Sequence, residues 1–124
     1  MYQSDQITVV VLGASLNPHR YANLAVNELT EAGYNVVAIG NWEGAIGGVA
    51  VSTRLHPAQQ AHTATVYLRP SVQALYEAWL LSGNVKRVVF NPGTENLPLR
   101  SRLEAAGVEV VFDCTLVMLS RGVF

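Results

Sequence analysis

The sequence predicts a doubly wound α/β domain, and three observations carry that prediction. Five short apolar runs have the length of strands, the segments between them repeat apolar residues at helical spacing, and each of the three longer helical patterns closes on a glycine. Strands alternating with helices of about ten residues imply right-handed crossovers, hence a parallel sheet covered on both faces.

The first run, residues 7–12, is continuously apolar and rich in valine, as a strand buried on both faces must be, and Gly13 ends it. Runs at 35–39, 64–68, 86–90 and 108–112 supply the other four strands of a five-stranded parallel sheet. Ala22, Ala25, Val26, Leu29 and Ala32 form the stripe of the first helix, which stops at Gly33. Val72, Leu75, Tyr76, Trp79 and Leu80 form that of the second, ending near Gly83, and Leu99, Leu103 and Ala106 that of the third, ending at Gly107. Residues 40–63, with Gly44, Gly47 and Gly48, read as an irregular crossover with at most a short strand at 49–51 and a helical turn at 57–61. Residues 115–119 have the character of a short final helix, and 116–124 are apolar enough either to finish the core or to form a homodimer contact.

The 124 residues fit a single domain, residues 1–124, with no room for a second catalytic one. Half of them are hydrophobic and 14% are charged, a globular composition. A net charge of −1 offers no field for a polyanion, so nucleic acid is excluded as a partner. A small phosphorylated ligand, by contrast, needs only one or two well-placed arginines. The single cysteine, Cys114, rules out an internal disulfide and a cysteine-cluster metal site, and His19, His56 and His62 are too dispersed to bind metal. The start, Met1-Tyr2-Gln3-Ser4-Asp5, lacks a basic region followed by an apolar run, and no stretch approaches the roughly 20 residues of a membrane span. The expected compartment is the cytoplasm.

Ligands of such sheets bind where the strand order reverses, at the carboxyl ends of the strands. With the order 3-2-1-4-5, the reversal falls between the first and fourth strands. Gly13-Ala14-Ser15 then faces Asn91-Pro92-Gly93-Thr94, with Asp113-Cys114-Thr115 beside them and Arg69-Pro70 ending the third strand. The Gly13 loop joins a buried strand to a helix, where free backbone N–H groups and the helix dipole attract phosphate. Gly13 permits the turn, Ser15 and Asn17 donate to phosphate or cap the helix, and Pro18 suits the first helical turn. The alternative is a plain turn capped by Asn17. Arg20, just inside the helix, opposes the dipole unless an anion is near, while Tyr21 packs either on an adenine or on the protein. Arg69 is either a surface residue or a ligand contact. The Asn91 loop is equally explained as turn chemistry with Thr94 as a cap, and Cys114 as a small buried hydrophobe.

Several chemistries are disfavoured. The second and third glycines of the dinucleotide fingerprint are replaced by Ser15 and Pro18, and no acid ends the second strand, Glu43 arriving too late for a ribose hydroxyl. The Lys-Ser/Thr pair of a P-loop is missing, and Asn17 stands where a nucleophile elbow needs glycine.

The chain resembles the small stand-alone CoA-binding proteins related to the nucleotide-binding domain of the succinyl-CoA synthetase alpha chain. The resemblance spans nearly its whole length. Gly13-Ala14-Ser15 with Asn17, Pro18 and Arg20 carries it, together with Phe90-Asn91-Pro92-Gly93-Thr94-Glu95-Asn96 and Cys114-Thr115-Leu116-Val117. It implies a Rossmann-like fold that binds coenzyme A or an acyl-CoA without catalysis. The pyrophosphate would lie over the Gly13 loop near Ser15 and Arg20, and Arg69 and Pro70 would flank the nucleotide. Cys114 would come within reach of the pantetheine thiol, as a mixed disulfide requires. The chain departs from relatives that end the second strand with Val-Asn-Pro, having Ile39-Gly40-Asn41-Trp42 there, which bears on the contacts to the adenosine end; Asn41 is counted among the expected cofactor-binding residues. The phosphohistidine domain of the larger synthetases has no counterpart, and ligase activity does not carry over. Two alternatives stand beside this reading: an NAD(P)-binding oxidoreductase-type module, and a thiol redox switch acting through Cys114 on a partner protein.

Overall fold

All five apolar runs form strands in the computed structural model, which describes residues 7–124. The reading of the first five residues lies outside that range. In chain order the elements are β1 (Thr8–Ala14), α1 (Tyr21–Glu31), β2 (Asn35–Gly40), β3 (Gly44–Ile46), β4 (Val49–Ser52) and β5 (Ala61–Val66). There follow α2 (Pro70–Gln73), a 3-10 turn (Ala74–Tyr76), α3 (Glu77–Leu80), β6 (Val85–Phe90), α4 (Leu97–Ala105), β7 (Glu109–Phe112) and α5 (Thr115–Ser120).

Among the described residues the sheet has seven strands, not five, in the order β3-β4-β2-β1-β5-β6-β7. Every neighbouring pair is parallel except β3 with β4. The two additional strands come from the stretch read as an irregular crossover. Ile46 pairs with Val49 across Gly47 and Gly48, whose φ angles are +52° and +85°, so the two glycines make a tight hairpin that requires positive φ at both positions. The strands are too short to register as apolar runs, and only Ile46 and Val51 in them are buried.

The hairpin also corrects the strand order. β4 takes the place beside β2 that the sequence reading gave to residues 64–68, and that segment, observed as β5, crosses back to lie beside β1. The order reversal therefore falls between β1 and β5. Arg69, after β5, moves to the centre of the crevice, and the Asn91 loop, after β6, moves one strand away.

Each face of the sheet has its own core. Val10, Leu12 and Phe90 pack with Trp79 and Leu80 of α3 and with Leu99 and Leu103 of α4, while Val9, Val11 and Ala38 pack with Val26 and Leu29 of α1. Val9, Val10 and Val11 are all fully buried, which is why β1 has no alternation. Gly33, Gly83 and Gly107 adopt left-handed φ angles of +92°, +91° and +85° after the helices they were expected to end.

Two helical expectations change. The second helix is broken into α2, the 3-10 turn and α3, because Gln73 is drawn fully inside, where its Nε2 donates to the carbonyls of Leu68 and Thr94, each at 2.7 Å. Gln73 is the one buried residue of α2, and Leu75, on the expected apolar stripe, is left 79% exposed. α1 begins only at Tyr21, with Arg20 as its N-cap residue, so Pro18 lies in the preceding turn. Asn17 is not the cap, since its Oδ1 accepts from the N–H of His19 instead (3.0 Å). The helical turn expected at 57–61 is a single turn closed by the Gln59 N–H on the His56 carbonyl.

Candidate functional site

The carboxyl ends of β1, β2 and β5 enclose a groove of about 630 Å3. Its floor is the Gly13 loop. Gly13 has φ +94°, and a Cβ there would lie 3.0 Å from the Leu68 side chain and 3.1 Å from the Tyr67 backbone, so only glycine lets β1 and β5 end this close together. Gly40 is as constrained, because a Cβ would meet the Ala14 carbonyl oxygen at 2.3 Å. The loop beyond is braced from α1, where buried Asn23 donates from Nδ2 to the Ser15 carbonyl (2.8 Å). Ser15 Oγ accepts from the Asn17 N–H (3.2 Å), while the N–H groups of Ser15 and Leu16 find no acceptor among the described residues.

Gly13, Ala14, Ser15, Arg20, Tyr21, Asn41 and Arg69 of the sequence-derived set are brought together on this groove. Arg20 and Arg69 are both exposed, and Arg69 is steadied by its Nε donating to Ser71 Oγ at 3.1 Å. Asn17 lies outside the lining, and Pro70 opens α2 as its first residue. Asn91, Pro92, Gly93, Thr94 and Cys114 do not line the groove.

The Asn91 loop has a different occupation. Asn91 is 2% exposed, and its Nδ2 donates to Thr65 Oγ1 (2.7 Å) and to the Val66 carbonyl (2.9 Å). Its Oδ1 accepts from the Thr115 N–H (2.8 Å), and the Thr65 and Thr115 hydroxyls are 2.7 Å apart. One side chain thus ties β5, β6 and α5 together. Thr94 Oγ1 donates back to the Asn91 carbonyl (2.8 Å), and the cap of α4 is Asn96, whose Oδ1 accepts from the Leu99 N–H (3.1 Å), rather than Thr94. Glu95 holds the turn by accepting from the Gly93 N–H at 2.8 Å.

Some lining residues were not singled out from sequence. Trp42 (75% exposed) and Leu75 form the rim with Tyr21 (70%). Exposure on this scale of large apolar side chains around one groove is a signal of an interaction surface, and it appears only in three dimensions. Tyr67 is the other. Its ring lines the groove and its buried hydroxyl makes no hydrogen bond among the described residues. Burial pushes its pKa up to about 12, against the milder opposite influence of the Thr115 and Thr65 hydroxyls, with Cys114 close enough to raise it further. Cys114 itself is half-buried at the start of the six-residue α5, and its N–H donates to Asp113 Oδ1 (2.7 Å). Among the described residues no three His, Cys, Asp or Glu side chains gather as metal ligands would, and no helix is long and apolar enough to cross a membrane.

The model of a family described as a CoA binding domain matches residues 7–120, the span from β1 to α5. The chain belongs to that CoA-binding domain family. Among solved structures, an uncharacterised protein shares 37% identity with it over 95% of this chain and 98% of its own, with a TM-score of 0.90. A protein from Thermus thermophilus is 24% identical, covering 97% of this chain and 92% of that one with a TM-score of 0.79. A hypothetical protein from Pyrococcus horikoshii is 23% identical over 91% and 81% of the two chains, with a TM-score of 0.80. These last two show the fold alone. No curated protein gives a significant match. The family resemblance read from the motifs is therefore correct, and this CoA-binding domain keeps its Rossmann-like sheet with a hairpin at one edge.

Proposed function

We propose that this domain binds coenzyme A or an acyl-CoA in the groove above β1, β2 and β5 and does not transform it. The observation that carries the reading is the composition of that groove: a glycine turn with two unengaged N–H groups and two arginines beside exposed aromatic rings, with no carboxylate in the lining. Such a site suits an amphipathic anion. The pyrophosphate lies over Gly13 to Ser15 between Arg20 and Arg69, where N–H donors and guanidinium groups both stabilise negative charge. The pantetheine arm runs past Tyr67 toward Cys114. A mixed disulfide follows there by thiol–disulfide exchange, the Cys114 thiolate attacking CoA disulfide and releasing one CoA as its thiolate. Mass spectrometry after incubation with CoA disulfide should find one CoA adduct on the protein and none on Cys114→Ser.

The reading of binding without catalysis draws on the same lining, which among the described residues holds no imidazole, carboxylate, amine or thiol to move a proton near neutral pH. The nicotinamide reading has less support, since no acid lines the end of β2 where ribose hydroxyls need one. Titration calorimetry tests the proposal. CoA at 100 times its dissociation constant should stabilise the fold by about 2.7 kcal/mol. Arg20→Ala and Arg69→Ala should each weaken binding by roughly tenfold, the loss of one charge-assisted hydrogen bond, without changing stability. A protein stabilised by NADP and not by CoA would sink the reading.

A further inference from the structure

A second groove of about 510 Å3 adjoins the first, the two sharing Leu75 and Tyr76. The chain passes from β4 to β5 through an irregular loop instead of a crossover helix, and that loop supplies one wall of the groove with Thr53, Arg54, Leu55 and Pro57. α3 supplies the opposite wall with Ala78 and Trp79. The walls are held at a set distance, since Trp79 is 7% exposed and its Nε1 donates to the Gln59 carbonyl at 2.8 Å.

The one cation in this lining is Arg54. Its backbone is held by Ser52, whose Oγ accepts from the Arg54 N–H (3.2 Å) and lies 3.1 Å from the Arg54 carbonyl. Among the described residues no carboxylate lines either groove and Arg54 forms no ion pair. Arg100 and Arg102, in contrast, are paired with Glu104 and Glu77, and Arg87 is buried against Thr63 and Phe124. In a chain of net charge −1, three of the seven arginines, Arg20, Arg69 and Arg54, are thus strung along two joined grooves that contain no acid.

Coenzyme A carries a pyrophosphate and a separate phosphate on its ribose. In doubly wound sheets the adenosine half lies toward the second strand, and a nearby arginine accommodates a ribose phosphate where there is one. Here β4 adjoins β2 on that side and ends next to Arg54, whereas the loop after β2 offers Glu43 and no cation. We infer that the second groove holds the adenosine end of the ligand, with Arg54 binding the ribose phosphate and the apolar walls taking the base. The planar guanidinium matches a phosphate bidentately, and the exposed Leu75 ridge is covered by the ligand that straddles it.

The inference rests on the CoA reading of the first groove, and dephospho-CoA, which lacks only the ribose phosphate, separates the two. Calorimetric titration of the wild-type protein should show CoA binding roughly tenfold or more tighter than dephospho-CoA, the worth of a charge-assisted contact. Arg54→Ala should abolish that preference while leaving dephospho-CoA affinity unchanged, and Arg54→Lys should restore part of it. If Arg54→Ala keeps the preference, or if the wild-type protein binds both ligands equally, the assignment of Arg54 is overturned and CoA binding stands. If the wild-type protein binds neither, both readings fail together.

Discussion

The loops after β1 and after β6 look alike in sequence and do opposite things. Each follows a buried strand, contains a left-handed glycine and small polar residues, and leads into a helix. Around Gly13 the polar groups are turned outward, with the Ser15 and Leu16 N–H groups unengaged and Arg20 exposed. Around Asn91 they are turned inward, and every polar atom of the Asn91 side chain is spent on the protein. The first loop faces an open groove, and the second is a strut that ties β5, β6 and α5 together. The difference lies in position: β1 sits at the order reversal, where no crossover covers its end, and the residue after β6 is tied to the start of α5.

Substitution at the strut should produce the largest effect on stability. Asn91→Ala removes three buried hydrogen bonds and leaves the Thr115 N–H without its acceptor, while the Thr65 hydroxyl keeps that of Thr115 and the Val66 carbonyl keeps the backbone N–H of residue 91, and it should cost about 3 kcal/mol in urea unfolding. CoA affinity of the protein that remains folded should change little. A variant as stable as wild type but unable to bind CoA would move this loop from strut to ligand contact. At the other loop the pattern is mixed. Gly13→Ala forces a side chain onto φ +94° and against Tyr67 and Leu68, so it should lose about 2 kcal/mol by the same measurement and bind CoA markedly more weakly. Loss of stability with full affinity would contradict a phosphate seat on that turn.

The smallest effect belongs to Tyr67, which lies between the two loops. Its pKa of about 12 exceeds the ordinary value of 10 through burial, so above pH 10 the unfolded chain gives up this proton before the native one does. The native state then binds more protons, and stability falls as pH rises from 10 toward 12. Tyr67→Phe should stay close to wild-type stability at pH 7, since the hydroxyl it removes makes no hydrogen bond of normal geometry among the described residues, and should show a shallower decline above pH 10. An identical alkaline decline in the two proteins would show that the hydroxyl is solvated.

Part of the groove's lining was legible beforehand. Gly13, Ser15, Arg20 and Tyr21 follow one another on a single loop, so sequence proximity places them together once the strand and helix are recognised. Arg69 was placed at the margin and lies at the centre, and Asn91 was placed at the centre and lies at its side, because both depend on strand order. Trp42 and Leu75 gave no local signal. Leu75 falls on the apolar stripe of a helix that Gln73 interrupts, and the pull on Gln73 comes from carbonyls five and 21 residues away.

What the sequence by itself determined is set by short-range chemistry: the buried valines of β1, the helix-ending glycines, the turn at Gly13, and the motifs that assign the family. Each of these is a property of a few consecutive residues or of a 3.6-residue period. What only the tertiary structure decided is which strand ends meet. A four-residue strand, Val49–Ser52, buries too little to leave a pattern, yet by taking the place beside β2 it sends β5 to the other side of β1. Non-local pairing is a competition among strands for neighbours, and its outcome depends on the whole sheet. The same hairpin leaves one face of the sheet edge under a loop, and so opens the second groove beside the first.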